Sequence, residues 1–103
     1  LVVAVGAYTG EMQELEAAVF DRAARVFADV PEEVAEIGDL LATDLAAEDL
    51  IPLSAVFEGE AGRESAEEII VVASVGSAVL DAASASSLFE RARAENVGTE
   101  LSL

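Results

Sequence analysis

The hydrophobic and polar positions of this chain form short apolar runs that alternate with stripes of helical spacing. Three apolar runs rich in β-branched residues predict buried strands, over residues 1–5, 25–30 and 68–73. Apolar residues every three or four positions predict helices between and after them, over residues 11–23, 31–45 and 77–95. This alternation is typical of a parallel sheet with right-handed crossovers. We therefore expect an α/β fold that forms part of a doubly wound parallel sheet.

Turn and cap residues indicate where the predicted helices begin and end. Pro31 suits the first position of a helix, and Asn96 or Gly98 can adopt the left-handed conformation that ends one. Residues 44–66 form the least regular part of the chain, with a short helical turn expected near residues 50–57. Residues 99–103 are expected to form a final extended segment.

The most informative stretch is the one in which the last apolar run changes into the longest predicted helix. Ser74, Val75 and Gly76 stand at this change. Because ligands of open parallel sheets bind just beyond the carboxyl ends of the strands, we expect these three residues to form one wall of a site. For Gly76, the alternative is a tight strand-to-helix turn that faces no ligand.

Composition describes one folded domain rather than a disordered or membrane-spanning chain. Hydrophobic residues make up 53% of the 103 positions, which is too many for a disordered segment. No apolar run reaches the ~20 residues that a membrane span needs. The sequence starts inside an apolar run without Met or a basic region, so we expect a piece of a longer cytoplasmic protein rather than a signal peptide.

The charge balance excludes some partners and predicts a dependence on salt. The chain carries 21 acidic residues against 5 arginines and no lysine, for a net charge of −16. Nucleic acid and anionic membranes are therefore poor partners. Self-repulsion at this charge density fades when molar salt shortens the Debye length to about 3 Å. We expect a halophilic source, with an acidic domain from an ordinary mesophile as the alternative.

Missing residue types exclude several chemistries within this chain. Without cysteine or histidine there is no thiol chemistry and no serine hydrolase triad, and without lysine there is no Walker-type phosphate loop. The glycines do not match a dinucleotide fingerprint. The acidic residues are spread over helix faces, so no metal site is expected.

Several short motifs go beyond these general features. Residues 4–15 match the pattern A-V-G-x-x-x-P-x-x-x-E-L except at the proline, and residues 36–40 match E-x-G-D-L. Residues 26–29 are similar to V-x-D. Residues 61–63, 68–71, 74–81 and 89–92 are similar to A-G-R, E-I-T-V, S-V-G-x-A-x-x-D and Y-E-R-A. In order and spacing, this set resembles the ornithine cyclodeaminase / mu-crystallin / archaeal alanine dehydrogenase family over almost the whole chain.

The resemblance implies a fold and a cofactor. Residues 1–103 would be the second half of a Rossmann-like NAD(P)-binding domain, with residues 77–103 leading back toward a substrate and dimerisation domain. The intact protein would be a homodimer that binds NAD or NADP and acts on a small amino acid or imine. This chain alone would be inactive, because the glycine fingerprint and the residues that hold the substrate carboxylate would lie upstream of it.

The resemblance also assigns roles by position. Val3 and Ala4 would lie along the nicotinamide side of the cofactor, and Met12 stands where cyclodeaminases place a lysine that contacts the cofactor. Val75 would contact the nicotinamide. Gly76 would face the substrate, where a glycine lets the backbone approach a ligand closely.

Departures from the family pattern decide between its activities. Tyr8 stands where cyclodeaminases carry the aspartate that serves ring closure, and a tyrosine, with a reference pKa of about 10, is not a base of that strength near pH 7. Gly10 replaces a proline, and Ala73 replaces a lysine. Tyr8, at the family's aspartate position, is therefore our candidate catalytic-site residue. We expect it to form a wall of the substrate pocket, with packing against the neighbouring loop as the alternative.

Three classes of function remain open. The favoured one is an NAD(P)-dependent alanine dehydrogenase or imine reductase, with ornithine cyclodeaminase, which forms proline and ammonia, as the alternative within the family. The second class is a non-catalytic mu-crystallin-like nucleotide binder. The third is a scaffold domain without a ligand.

Overall fold

The computed structural model places four parallel strands in one sheet. It describes residues 1–99 and Leu101. The strands in chain order are β1 (Val2–Ala4), β2 (Arg25–Ala28), β3 (Ile51–Pro52) and β4 (Ile70–Ala73). Their order across the sheet is β1-β4-β2-β3, and each neighbouring pair is parallel. The predicted α/β class with a parallel sheet is confirmed.

In this described part of the chain, five α-helices connect and follow the strands. They are α1 (Ala17–Asp21), α2 (Pro31–Val34), α3 (Gly38–Leu41), α4 (Leu53–Phe57) and α5 (Ala78–Glu95). A 3₁₀ turn covers Ala47–Asp49. Within the residues that the structure describes, no helix is both long and apolar enough to cross a membrane.

The central strands explain the β-branched runs of the sequence. Strand β4 lies between β1 and β2, so that Val71 pairs with Val2 on one side and with Val26 on the other. Val71 and Ala28 are fully buried, and Val26 is 6% exposed. A strand covered on both faces has no polar side to show, which is why its sequence is continuously apolar.

Strand β1 differs from the fully buried strand that its apolar run predicts. Among the described residues it pairs only with β4, and its Val3 side chain is 56% exposed. The prediction was wrong because an apolar run does not show whether a strand lies inside a sheet or at its edge. Strand β3 was missed because only two residues pair, and its second residue, Pro52, has no N–H to offer the ladder.

The first predicted helix is shorter than its spacing suggests. It begins at Ala17 rather than at residue 11, because residues 11–16 form a loop. The backbone N–H groups of Glu14 and Leu15 donate to Oδ1 of Asp39, at 2.5 and 2.9 Å. The Glu14 carboxylate in turn accepts a hydrogen bond of 2.7 Å from the Gly6 N–H. These hydrogen bonds to carboxylates take the place of the backbone hydrogen bonds that a helix over residues 11–16 would form.

The helix predicted over residues 31–45 is interrupted at Gly38, which separates α2 from α3. The Gly38 N–H donates to the Thr9 carbonyl at 3.0 Å, so the loop after β1 packs directly on this point. A Cβ atom at Gly38 would lie 3.0 Å from the Gly10 carbonyl oxygen and closer still to that of Met12. The break in the helix therefore makes room for the loop.

The longest helix has the predicted limits. Ser77 is the N-cap of α5, and Asn96 ends it with φ 55° in the left-handed region. All of its residues except Ala92 are exposed, including Leu88 and Phe89. In the extended segment predicted for residues 99–103, positions 100, 102 and 103 lie outside the described residues.

The contact at Gly38 predicts that Gly38→Ala destabilises the protein. The added methyl group meets backbone rather than a movable side chain, so we expect a loss of about 1–3 kcal/mol of unfolding free energy. Gly62→Ala is the control, because no described atom lies within 4 Å of a Cβ at Gly62. Urea denaturation of the full-length protein measures both, and equal midpoints for the two variants would contradict the packing described here.

Candidate functional site

The carboxyl ends of three strands meet at one edge of the sheet. Ala4 pairs with Ala73, and Ala73 pairs with Ala28, so the three strands end in register. The residues that follow them, 5–10, 29–30 and 74–77, form what we call the carboxyl edge. In open parallel sheets this is where ligands bind.

The turn from β4 into α5 contributes the predicted corner to this edge. The Ser74 N–H donates to the Ala4 carbonyl at 3.0 Å, which continues the pairing with β1 by one residue. Gly76 then reverses the chain with φ 75°, a conformation that favours glycine. Ser77 caps α5 by accepting a hydrogen bond of 3.3 Å from the Val79 N–H. The predicted position of this corner at the carboxyl edge is confirmed.

Asp29, the first residue after β2, fastens this turn to the neighbouring strand. Its Oδ2 atom accepts hydrogen bonds from the Ser74 hydroxyl at 2.7 Å and from the Gly76 N–H at 2.8 Å. Its Oδ1 atom accepts from the Val30 N–H at 2.8 Å and from the Val75 N–H at 3.3 Å. Each of the two carboxylate oxygens therefore accepts two hydrogen bonds.

These hydrogen bonds set the ionisation of Asp29. Burial favours the neutral carboxyl and alone would raise the pKa. The bonds from the hydroxyl of Ser74 and the backbone of Gly76, Val30 and Val75 favour the charged form, and they hold the pKa below the ordinary 3.8. Because the pKa is lowered by folding, the resulting stabilisation is fully present above the ordinary pKa and is lost as the pH falls through the folded value.

A second carboxyl group holds the loop that follows β1. Asp39 is fully buried, and its Oδ1 atom accepts the two N–H groups of residues 14 and 15. Its Oδ2 atom has no hydrogen-bond partner among the described residues. Through Glu14, which binds the Gly6 N–H, this contact fixes both ends of the loop that carries Tyr8.

The structure brings most of the predicted site residues to the same edge. Val3 and Ala4 lie in β1 beside β4, and Val75 and Gly76 follow β4 directly. Val75 is half-buried and packs against the core, whereas Gly76 is exposed.

The two other predicted site residues lie in the adjoining loop rather than at the corner itself. The Tyr8 side chain is 66% exposed, and that of Met12 is 38% exposed. The Met12 N–H donates to the Thr9 carbonyl at 3.1 Å, which makes it part of a tight turn.

Asp29 and Asp39 both lie in motifs that the sequence shows, but sequence reasoning assigned a role to neither, and Asp39 was expected on the exposed face of a helix, whereas it is fully buried. For Asp29 a signal existed, because it is an acidic residue directly after a buried strand and therefore belongs to the carboxyl edge. For Asp39 the signal was weaker, since an acid near the start of a helix is usually solvent-exposed.

Comparison with known proteins gives this geometry a context. The sequence model of the ornithine cyclodeaminase/mu-crystallin family matches residues 1–96. A Delta(1)-pyrroline-2-carboxylate reductase from Bacillus cereus (strain ATCC 10987) is 38% identical over 111 residues, covering 97% of this chain and 33% of that protein. The chain thus spans about a third of the length of the relatives that it matches.

Two solved structures share the fold. The probable ornithine cyclodeaminase from Bordetella pertussis Tohama I superposes with a TM-score of 0.77 and 27% identity, over 96% of this chain and 34% of that one. The iminosuccinate reductase of Paracoccus denitrificans, solved in complex with NAD+, gives a TM-score of 0.74 and 26% identity over 98% and 32% of the two chains. This chain belongs to the ornithine cyclodeaminase/mu-crystallin family.

Proposed function

We propose that the protein containing this chain is an NAD(P)-dependent imine reductase for small imino acids. The observation that carries the proposal is the corner at Ser74–Gly76, which lies beside Ala4 at the carboxyl edge of a parallel sheet. Relatives whose names describe imine reductases support the same reaction class. The cofactor would supply a hydride to the imine carbon, and this chain would hold the reacting partners in position.

The residues of the edge have distinct parts in this proposal. Val3 and Ala4 would lie along the nicotinamide, and Val75 would support its ring from the side of the core. Gly76 would face the substrate, because no described atom lies within 4 Å of the place where its side chain would be. Met12 would reach the cofactor from the loop after β1.

Tyr8 favours a reductase over a cyclodeaminase. Ring closure of ornithine needs a group near the substrate that can accept a proton near pH 7; the aspartate of cyclodeaminases can do so, whereas a phenol, with a reference pKa of about 10, cannot. Its exposure of 66% suits a wall of the substrate pocket. The likeness to a probable ornithine cyclodeaminase keeps that activity as the second candidate. An alanine dehydrogenase would run the related oxidation. Dimerisation and a cytoplasmic location stay predictions.

The first test is nucleotide binding and turnover by the full-length protein in high salt. We expect NADH or NADPH fluorescence to change on binding, and Δ1-pyrroline-2-carboxylate or iminosuccinate to be reduced with loss of absorbance from the reduced cofactor. Ammonia release from ornithine without net change in the cofactor would identify a cyclodeaminase instead. Binding without turnover of any imine, alanine or ornithine would identify a binder, and failure to bind either nucleotide would overturn the proposal.

The second test asks whether Gly76 faces the substrate. Gly76→Ala and Gly59→Ala form a matched pair, because both glycines have positive φ (75° and 78°) and open space around the absent side chain. Each substitution should cost about 1–2 kcal/mol of stability from backbone strain. Only Gly76→Ala should also raise the KM for the imine, by about tenfold. Equal kinetics for the two variants would remove Gly76 from the substrate pocket.

The surface charge supports the proposal of a halophilic protein. Apart from the fully buried Asp39, the acidic side chains in the described part of the chain are exposed or half-buried. The described ion pairs link Arg25 to Glu64 and Glu68, and Arg91 to Glu95. Most of the acids in the described residues therefore have no ion-pair partner to offset their mutual repulsion.

The third test is a series of thermal melts in KCl. Because salt screens repulsion between exposed charges, we expect the melting temperature to rise steeply from about 0.1 M to about 1 M and to level off above it. Sucrose is the control, since it stabilises by exclusion from the surface without screening charge. A melting temperature that responds no more to KCl than to sucrose would favour the acidic mesophilic alternative.

A further inference from the structure

We propose that Asp29 is a positioning residue, whose carboxylate fixes Val75 and Gly76 in the orientation that hydride transfer requires. The inference rests on the proposed function and deepens it. Asp29 would not touch the substrate or the cofactor. It would act through the turn between β4 and α5, which it holds from the neighbouring strand.

The groups that donate hydrogen bonds to the Asp29 carboxylate all lie in this turn or directly after β2, the strand that Asp29 follows. Three of the four donors come from consecutive residues of the turn, namely the Ser74 hydroxyl and the N–H groups of Val75 and Gly76. The fourth is the N–H of Val30. Since β2 and β4 pair directly up to Ala28 and Ala73, the side chain needs to span only the gap between two adjacent strand ends.

This arrangement determines which side of the turn is available to a ligand. The N–H groups of Val75 and Gly76 point back toward Asp29, so they are already used and do not form an anion-binding loop. The Cα of Gly76 faces open space on another side, with no described atom within 4 Å of an ideal Cβ. A ligand would therefore meet the Cα side of the turn, and the carboxylate behind it would decide how far that side projects.

Asparagine cannot reproduce this arrangement, although it has the same shape. An amide has one acceptor oxygen, and its NH₂ group would confront a backbone N–H in either orientation. With the oxygen at the Oδ1 position the Gly76 N–H loses its acceptor, and with the oxygen at Oδ2 the Val30 and Val75 N–H groups lose theirs. Asp29→Asn therefore releases part of the turn.

Asp39 provides a matched control. Its Oδ1 atom accepts two backbone N–H groups, and its Oδ2 atom has no partner among the described residues. Asp39→Asn can keep both hydrogen bonds by placing the amide oxygen at Oδ1. The same chemical change thus removes bonds at the turn and spares those of the loop after β1.

The experiment compares these variants in the full-length protein by steady-state kinetics of imine reduction. We expect Asp29→Asn to lower kcat by about tenfold to a hundredfold, because small displacements of reacting groups are costly. The primary deuterium isotope effect with NADH labelled at the transferred hydrogen should rise, since misaligned hydride transfer becomes rate-limiting. For Asp39→Asn, kcat and the isotope effect should stay within about twofold of the wild type.

A milder variant covers the case in which Asp29→Asn does not fold. Ser74→Ala removes one of the four donors and keeps the three backbone N–H bonds from Val30, Val75 and Gly76. That hydrogen bond is made to an ionised carboxylate, so we expect its loss to lower kcat by about fivefold or more, with a raised isotope effect. Wild-type values for Ser74→Ala in that case would overturn the inference.

The outcomes separate this inference from the proposed function. If the wild type is active and Asp29→Asn and Asp39→Asn have the same kcat and isotope effect, the positioning role is overturned. The proposal of an imine reductase is then unaffected. A wild type that binds no nicotinamide nucleotide removes the proposed function and this inference with it. A lowered melting temperature with an unchanged isotope effect shows a purely structural residue and also overturns the inference.

Discussion

The parallel pairing of β4 with both β1 and β2 is the constraint on which the site depends. Parallel strands that pair in register end at the same edge of the sheet. The last residues of β1, β2 and β4, Ala4, Ala28 and Ala73, therefore lie side by side although they are far apart in the sequence. Whatever follows each strand is then collected at that edge. The loop after β1, the carboxylate of Asp29 and the turn at Gly76 become neighbours through backbone pairing alone, before any of their side chains interact.

Three carboxyl groups then hold the segments next to this edge in place by hydrogen bonds. Asp29 accepts hydrogen bonds from the turn before α5, Asp39 from the loop before α1, and Glu14 from the Gly6 N–H. Hydrogen bonds to an ionised acceptor are stronger than those between neutral groups, and they also supply partners for N–H groups that lie outside helices and strands. In a chain with a net charge of −16, most acids repel one another, yet these three organise the edge.

Local patterns predicted the features that depend on nearby residues. The strands β1, β2 and β4, helix α5 with its cap at Asn96, and the corner at Gly76 all follow from adjacent residue types. The loop over residues 11–16 and the break at Gly38 could not be predicted in this way, because they depend on a contact between Asp39 and a backbone 25 residues away. The role of Asp29 depends on β2 lying beside β4, and chain order does not specify strand order.

On the proposed function, the same geometry suits hydride transfer better than ring closure. A hydride moves directly between two carbons, so the protein's main task is to hold them close and aligned, which a glycine turn fixed from behind can do. Ring closure additionally needs a base near the substrate. The chain has no histidine or lysine, and the carboxylate nearest the corner, Asp29, already has both oxygens occupied by four donors. Its lowered pKa also makes it a weak base. On the proposed function, this third of the protein therefore orients the reaction and leaves proton transfer to groups elsewhere.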